Sequence, residues 1–288
     1  MRPRFQWQLA SRTIDLGARS LVMGVVNVTP DSFSDGGEFF ETNIAVEHAL
    51  RLLEEGADIL DIGGESTRPG KKERVTPQME ADRVLPVIEA VRKAAPQAII
   101  SIDTYRAATA KWCVDAGAEI VNDVSGLAWD AAMAPALAKM KCGVVLMHMR
   151  GRPEEWRNLP PLPDPLPLVR KELGEIAGTG LNAGINVDSI VLDPGFGFGK
   201  SFEENYPLLA KFDELHALGF PLLSGTSRKS FIGRTLARGG EDAPADARLI
   251  GSVAAAVASV MKGAHIVRVH DVKETVEAVR VADAIVNA

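Results

Sequence analysis

Cysteine is nearly absent from this chain. Only Cys113 and Cys142 occur, one within a helical pattern and one just before a strand. That placement predicts two buried thiols of a reduced, cytoplasmic protein and argues against a disulfide framework or a metal pair. Excess positive charge is missing too. The net charge is −6 and the pI near 5.5, which argues against nucleic acid or an anionic membrane as a partner. An anionic small substrate stays open, because a few arginines and lysines can set the local field of a site. No long apolar run occurs: Val253 to Met261 falls far short of the roughly 20 residues a membrane helix needs. The opening stretch MRPRFQWQLASRTIDLG is basic but has no continuous apolar segment, so no signal peptide is expected. No H-E-x-x-H, Cys-x-x-Cys or G-x-S-x-G occurs, which argues against zinc hydrolysis and serine esterase chemistry.

What is present is a repeat. Gly56-Ala57-Asp58-Ile59-Leu60-Asp61, Gly117-Ala118-Glu119-Ile120-Val121-Asn122 and Gly263-Ala264-His265-Ile266-Val267-Arg268 share one pattern. A glycine suited to ending a helix precedes a short apolar run, and a polar residue follows. Such runs read as strands buried on both faces. Five more end the same way: Val22 to Asn27, Ala98 to Asp103, Val144 to His148, Ile190 to Asp193 and Pro221 to Ser224. Helical patterns run over about 42–55, 77–95, 106–116, 130–140, 168–182, 203–218, 246–262 and 272–287. Eight strand–helix units, spaced on average about 35 residues apart, fit a single α/β domain over 1–288, a (β/α)8 TIM barrel with residues 1–20 closing its bottom. A doubly wound open sheet could use the same elements; eight units with no spare domain favour closure.

A parallel barrel gathers its strand C-termini at one mouth, where active sites form. Asn27, Asp61, Asp103, Asn122, His148, Asp193, Lys229, Arg268 and His270 should therefore converge. Residues 28–40 and 63–76, rich in Gly, Ser and Pro, are lid candidates. Residues 151–167, with six prolines, read as an extended loop. Asp193-Pro194-Gly195-Phe196-Gly197-Phe198-Gly199-Lys200 suggests a close approach of backbone to a ligand. It is not a Walker loop, because Pro194 stands where the first glycine belongs. Ser227-Arg228-Lys229-Ser230 could bind an anion or a carbonyl oxygen at a helix start, and Arg68 could reach a phosphate from its loop. Arg268 and His270, two apart on a strand, should share the mouth face. His148 reads as a satisfied core histidine, and His48 and His216 as surface residues. Asp103, Asn122 and Asp193 offer acceptors and an amide, suiting a flat heterocycle with an amino-amidine edge, with Lys229 for a ring carbonyl. Metal binding by the same carboxylates is the rival reading.

The segments MGVVNVTPDSFSDGG, DIGGESTRPG, SIDT, IVNDVSG, VLMHM, DPGFGFGK, SRKSFIG and RVHDV resemble the dihydropteroate synthase family over nearly the whole chain. The resemblance implies a barrel, usually homodimeric. It implies condensation of p-aminobenzoate with 6-hydroxymethyl-7,8-dihydropterin pyrophosphate by an SN1-like path. Carried over by position, Asp103, Asn122, Asp193 and Lys229 should hold the pterin, with Met147 lining the pocket. Asn27, Arg68, Arg268 and His270 should hold pyrophosphate and Mg2+, with Asn27 as the metal's oxygen ligand. Thr67, Pro69, Phe198 and Ser230 should form the aminobenzoate site. Asp103, Lys229, Arg68, Arg268 and His270 are the expected catalytic set. Tyr105-Arg106 and the 151–167 loop depart from the family pattern. A pterin-binding methyltransferase and a noncatalytic pterin-binding protein are the alternatives.

Overall fold

The computed structural model describes residues 2–29, 38–65 and 75–288. Ten strands and nine α-helices are formed among them. The chain begins with an antiparallel hairpin, β1 (Phe5–Gln8) and β2 (Thr13–Leu16). Eight parallel strands follow: β3 (Leu21–Asn27), β4 (Ile59–Gly63), β5 (Ile99–Asp103), β6 (Ile120–Asp123), β7 (Gly143–Met147), β8 (Ile190–Asp193), β9 (Leu223–Ser224) and β10 (Ile266–Val269). They pair in the order β8-β7-β6-β5-β4-β3-β10-β9. The Leu192 amide donates to Pro221 O at 3.0 Å, and Leu192 bridges Leu222 in parallel. That contact joins β8 to β9 and closes the ring. The barrel, not the open sheet, is the fold.

Between the strands lie α1 (Glu38–Glu54), α2 (Pro77–Ala94), α3 (Ala107–Asp115), α4 (Met133–Met140), α5 (Leu166–Asn182), α6 (Phe202–Ala210), α7 (Ser230–Thr235) and α8 (Leu249–Met261); α9 (Val272–Val286) ends the chain. The repeated glycines end α1, α3 and α8 by one device. Gly56, Gly117 and Gly263 have φ of 101°, 112° and 90°, a left-handed backbone that glycine adopts without a Cβ penalty. Each glycine N–H donates to the carbonyl three residues back, at 2.9–3.0 Å, and the next alanine N–H to the carbonyl five back, at 2.8–2.9 Å. This is the Schellman arrangement, which satisfies the last carbonyls of a helix and aims the chain into the next strand. At the other end of α2, Thr76 caps the helix by accepting the Met79 amide at 3.2 Å, with Pro77 in the first turn.

Two apolar layers result. The larger lies between sheet and helices and includes Val84, Ile88, Ile102, Val144, Leu173 and Leu192. The smaller fills the barrel's N-terminal end: Trp7, Leu9 and Leu16 of the hairpin segment pack with Ile59, Ile120, Leu223 and Ile266 at the first residues of their strands. The Trp7 indole donates to Ser189 O at 2.8 Å, so the plug's largest side chain keeps its polar atom paired.

The fold differs locally from the sequence reading in three places. The run from Pro221 yields only the two residues of β9, because Pro221 has no N–H for the ladder. The helix expected over 203–218 ends at Ala210 and continues as a 3-10 turn, Phe212–Leu218. A short extra helix, α7, follows Lys229, which stands at its N-cap.

Candidate active site

The strand ends finish level with one another. Asn27 lies opposite Gly63, Gly63 opposite Asp103, Asp103 opposite Asn122, and Met147 opposite Asp193. The centre is Asp61, a fully buried residue to which sequence reasoning assigned no role beyond converging at the mouth. Its Oδ2 accepts from Arg268 Nε at 2.5 Å and from Asn122 Nδ2 at 3.0 Å. Arg268 Nη2 donates to Asp103 at 2.7 Å. Asp61 Oδ1 is buried with no hydrogen-bond partner among the described residues. Buried carboxylates need charged donors, and here a guanidinium fork serves two of them. Their cation is thus supplied by the chain, which removes the reason to invoke a metal between these carboxylates.

Electrostatics at this floor are strongly perturbed. Burial raises the Asp103 carboxyl well above the usual range, against the pull of Arg268. Burial raises Asp193 too, although its Oδ1 accepts the Gly195 amide at 2.7 Å. Burial and then Arg268 hold the Lys229 ammonium far below the ordinary lysine value. Its Nζ lies 3.8 Å from the centre of the Phe198 ring, a cation–π contact. Buried acids and bases pushed toward each other mark a functional site. We expect kcat/KM to trace a bell, rising as Asp103 ionises near neutrality and falling as Lys229 deprotonates. Asp103→Asn should remove the rising limb; a flat profile across neutral pH would contradict these assignments.

The Asp193–Lys200 turn is built differently from expectation. Gly195, Gly197 and Gly199 have φ of 66°, 80° and 67°. A Cβ on Gly195 would overlap His148 O, and one on Gly199 would overlap Arg150 O. The close approach these glycines permit is therefore to the protein's own backbone beyond β7. Gly197 leaves room for the Lys229 stem, 3.2 Å from where its Cβ would be. Lys200 ties the turn from inside: its Nζ donates to Gly195 O at 2.8 Å and Phe198 O at 3.2 Å, and meets His148 Nδ1 at 2.9 Å. His148 Nε2 reaches Glu172 at 2.6 Å. Burial lowers Lys200 to about 7 and His148 to about 4. His148 is thus a neutral, satisfied core histidine, accepting at Nδ1 and donating from Nε2. Gly195→Ala should cost about 1–3 kcal/mol from the left-handed backbone alone, with more from the clash. An unchanged denaturation midpoint would contradict this reading of the turn.

Asn27 and His270 sit together on another side. They line a cavity of about 820 Å³ whose wall also carries Arg228, His48 and Arg51 together with the carboxylates Glu47, Glu55, Asp271 and Glu274. His270 lies just past the end of β10, while Arg268, within the strand, pairs with Asp61 and Asp103. Its Nδ1 meets Ser227 Oγ at 3.0 Å, and burial followed by Arg268 lowers it to about 3. Arg228 is held by Asp271 at 2.5 and 3.0 Å. Ser230 is exposed at the start of α7. Met147 is buried beside the Gly195 turn. Thr67, Arg68 and Pro69 lie outside the described residues. His48 and His216, expected at the surface, are half-buried; His48 Nε2 contacts Val25 O at 3.3 Å.

Tyr105-Arg106 acquires a role the sequence did not reveal. Tyr105 OH and Arg106 Nη1 both donate to Glu65, at 2.9 and 2.6 Å. Arg106 also donates to Glu80 at 3.0 Å and to Val75 O at 2.7 Å. The pair grips residues 65 and 75, the two ends of the segment that carries Thr67, Arg68 and Pro69.

Comparison with known proteins agrees with this geometry. Residues 23–270 match the pterin-binding enzyme family. The dihydropteroate synthase of Escherichia coli K12 is 45% identical over 267 residues, 93% of this chain and 92% of that one. A Xanthomonas albilineans dihydropteroate synthase solved with 4-aminobenzoic acid is 43% identical with a TM-score of 0.88, covering 99% of this chain and 98% of that chain. The structure of the same organism's enzyme with 7,8-dihydropteroate is 41% identical with a TM-score of 0.85, covering 98% of each chain. This chain therefore belongs to the pterin-binding enzymes, in the dihydropteroate synthase family of transferases.

Proposed function

We propose that the mouth of this barrel condenses p-aminobenzoate with 6-hydroxymethyl-7,8-dihydropterin pyrophosphate, giving 7,8-dihydropteroate and pyrophosphate. The observation that carries the reading is buried Asn122 and Asp193 clustered with part-buried Asp103 and Lys229. A carboxylate facing an amino-amidine edge gains two parallel hydrogen bonds. Asp193 is the carboxylate for that edge, Asn122 and Asp103 complete the polar floor, Met147 packs on the ring, and Lys229 meets the ring carbonyl. Asp61 holds Arg268 and Asn122 in place for them.

The leaving group belongs on the side of Asn27 and His270, with Arg68 reaching it from its loop and Arg268 within the field that stabilises departing charge. The donor set there fits Mg2+: Asn27 offers one hard oxygen at an exposed strand end, beside open volume. Among the described residues no cluster of three His, Cys, Asp or Glu could enclose a metal. Mg2+ commonly uses few protein ligands and completes its shell with water and substrate phosphates. When bound it would neutralise pyrophosphate charge.

In the reaction the bond between the pterin methylene and the pyrophosphate oxygen breaks, with the electron pair leaving on oxygen. The p-aminobenzoate nitrogen forms the new bond to that carbon and then loses a proton. An aryl amine is already neutral at pH 7, so the chain needs no strong base. Asp103 faces the cationic carbon of an SN1-like path, which is electrostatic catalysis. Thr67, Pro69, Phe198 and Ser230 form the aminobenzoate pocket. Exposed Ile250 of α8 and Val281 and Ile285 of α9 support a homodimer. Free buried thiols at Cys113 and Cys142 suit the cytoplasm. No helix among the described residues is long and apolar enough to cross a membrane.

The protein supplied with both substrates and Mg2+ should form dihydropteroate, and it should transfer no methyl group from a methylated folate. Methyl transfer without condensation would replace this reading with the methyltransferase one. Binding should also be ordered. Arg68 sits between Thr67 and Pro69, so its capture of pyrophosphate should shape the second pocket and raise p-aminobenzoate affinity. Titration of p-aminobenzoate alone, and with Mg2+, pyrophosphate and an unreactive pterin, tests this; equal affinities would contradict it.

A further inference from the structure

The Pro-rich segment 151–167 follows β7 and is tied down along its length. Arg150 Nη2 donates to Pro160 O at 2.6 Å, the Leu162 amide donates to Glu204 at 2.6 Å, and Lys211 pairs with Asp164 at 2.7 Å. Within it, the Glu155 amide donates to Arg152 O at 2.9 Å and the Asn158 amide to Glu155 O at 2.8 Å. A 3-10 turn, Trp156–Asn158, forms there. The segment thus behaves as a fixed wall, and Trp156 is its large half-buried side chain. The Trp156 ring meets the Phe198 ring edge to face, with centroids 5.6 Å apart and planes at 88°.

Phe198 needs such a support. Its neighbours Gly197 and Gly199 are both left-handed glycines, with no side chains to fix its ring. The backbone bonds of Phe198, from Lys200 Nζ and Arg150 N to its carbonyl, hold the peptide but not the ring. The ring itself is held by Lys229 at 3.8 Å from its centre and by Trp156. Lys229 must also serve the pterin, so Trp156 is the partner free to act on Phe198 alone.

We propose that Trp156 is a positioning residue for the second substrate: it sets the orientation of Phe198 and so the shape and selectivity of the p-aminobenzoate pocket. The proposal rests on the reading of Phe198 as a wall of that pocket. It also gives the Pro-rich segment a purpose, since a rigid backbone holds an aromatic support at fixed distance. An aromatic edge-to-face pair lost without its support should weaken p-aminobenzoate use by roughly three- to ten-fold.

The test is steady-state kinetics on Trp156→Ala, Trp156→Phe, Phe198→Ala and the double alanine variant, with KM measured separately for each substrate. Trp156→Ala should raise KM for p-aminobenzoate by roughly three- to ten-fold, leaving KM for the pterin pyrophosphate within about two-fold and kcat little changed. Trp156→Phe should restore most of the loss, and the double variant should be no worse than Phe198→Ala. Tryptophan emission should change when p-aminobenzoate binds to the pterin- and pyrophosphate-loaded protein, and this change should shrink in Trp156→Phe. An unaltered aminobenzoate KM in Phe198→Ala would overturn the pocket reading itself. A raised KM in Phe198→Ala with none in Trp156→Ala would overturn the positioning role alone. A Trp156→Ala loss that persists in full on the Phe198→Ala background would show direct contact with the substrate and also overturn it. Equal losses for both substrates would mean that Trp156 serves only the fold.

Discussion

Arg268→Ala should weaken binding of the pterin itself, with or without its pyrophosphate, and destabilise the protein by about 3–5 kcal/mol. That range applies when one partner of a buried ion pair is removed and a charge is left behind. Asp61 is fully buried, whereas Asp103 keeps 18% of its side chain exposed; both lose their guanidinium contact, at 2.5 and 2.7 Å. Part of the cost is relieved by protonation, because Asp103 is already held well above the carboxylate range and Arg268 is what pulls it down. In the variant Asp103 should stay protonated at neutral pH, moving the rising limb of kcat/KM upward. Arg268→Lys should rescue little, since a single ammonium cannot bridge two carboxylates as a planar fork does. Chemical denaturation and calorimetry with 6-hydroxymethylpterin check this. Intact affinity for that bare pterin, with loss confined to the pyrophosphate ester, would show that Arg268 serves the leaving group alone and does not organise the pterin floor.

Asp193→Asn should reduce pterin affinity by roughly 5- to 150-fold, the consequence of about 1–3 kcal/mol for a buried donor left facing a donor. The geometry isolates the effect. Asp193 Oδ1 accepts the Gly195 amide at 2.7 Å, and an asparagine oxygen can keep that bond and the turn. The other oxygen, 3.7 Å from where a Gly225 Cβ would stand, becomes an NH2 group. Stability should therefore change much less than pterin affinity. A large loss of stability with unaltered affinity would remove Asp193 from ligand binding.

The barrel was legible because its punctuation is local. The Gly-Ala pairs at 56, 117 and 263 end three helices by the same two hydrogen bonds, and the apolar runs after them can only be buried strands. Asp103, Asn122 and Asp193 were legible for a similar reason: a polar residue ending a buried strand faces the mouth. Asp61 was placed at the mouth by the same rule, but its role as the anchor of Arg268 and Asn122 was not legible, because the repeat shows where it ends and not what it pairs with. A signal existed. An aspartate within a buried strand requires a charged partner, and Arg268 stands within β10 in the same way. Matching the two needed only the rule that buried charges pair. The roles of Lys200 and Trp156 had no such signal. Lys200 bonds carbonyls of residues 195 and 198 and the His148 ring, a set assembled only when the turn packs on the chain after β7. Trp156 meets Phe198 across 42 positions, and the prolines around it disclosed an extended segment but not what that segment supports. Tyr105-Arg106 read as a bare departure, because its partners Glu65, Val75 and Glu80 come together only in the fold.

The most direct measurement is whether buried carboxylates read the amino-amidine edge of the ligand. Affinities of 6-hydroxymethylpterin and of its analogue lacking the 2-amino group should be compared by calorimetry on the unaltered protein and on Asp193→Asn. The unaltered protein should bind the amino compound at least about ten-fold more tightly, the equivalent of one well-made buried hydrogen bond. Asp193→Asn should lose most of that preference. The same preference in both proteins, or none in either, would show that this mouth does not hold a pterin through Asp193.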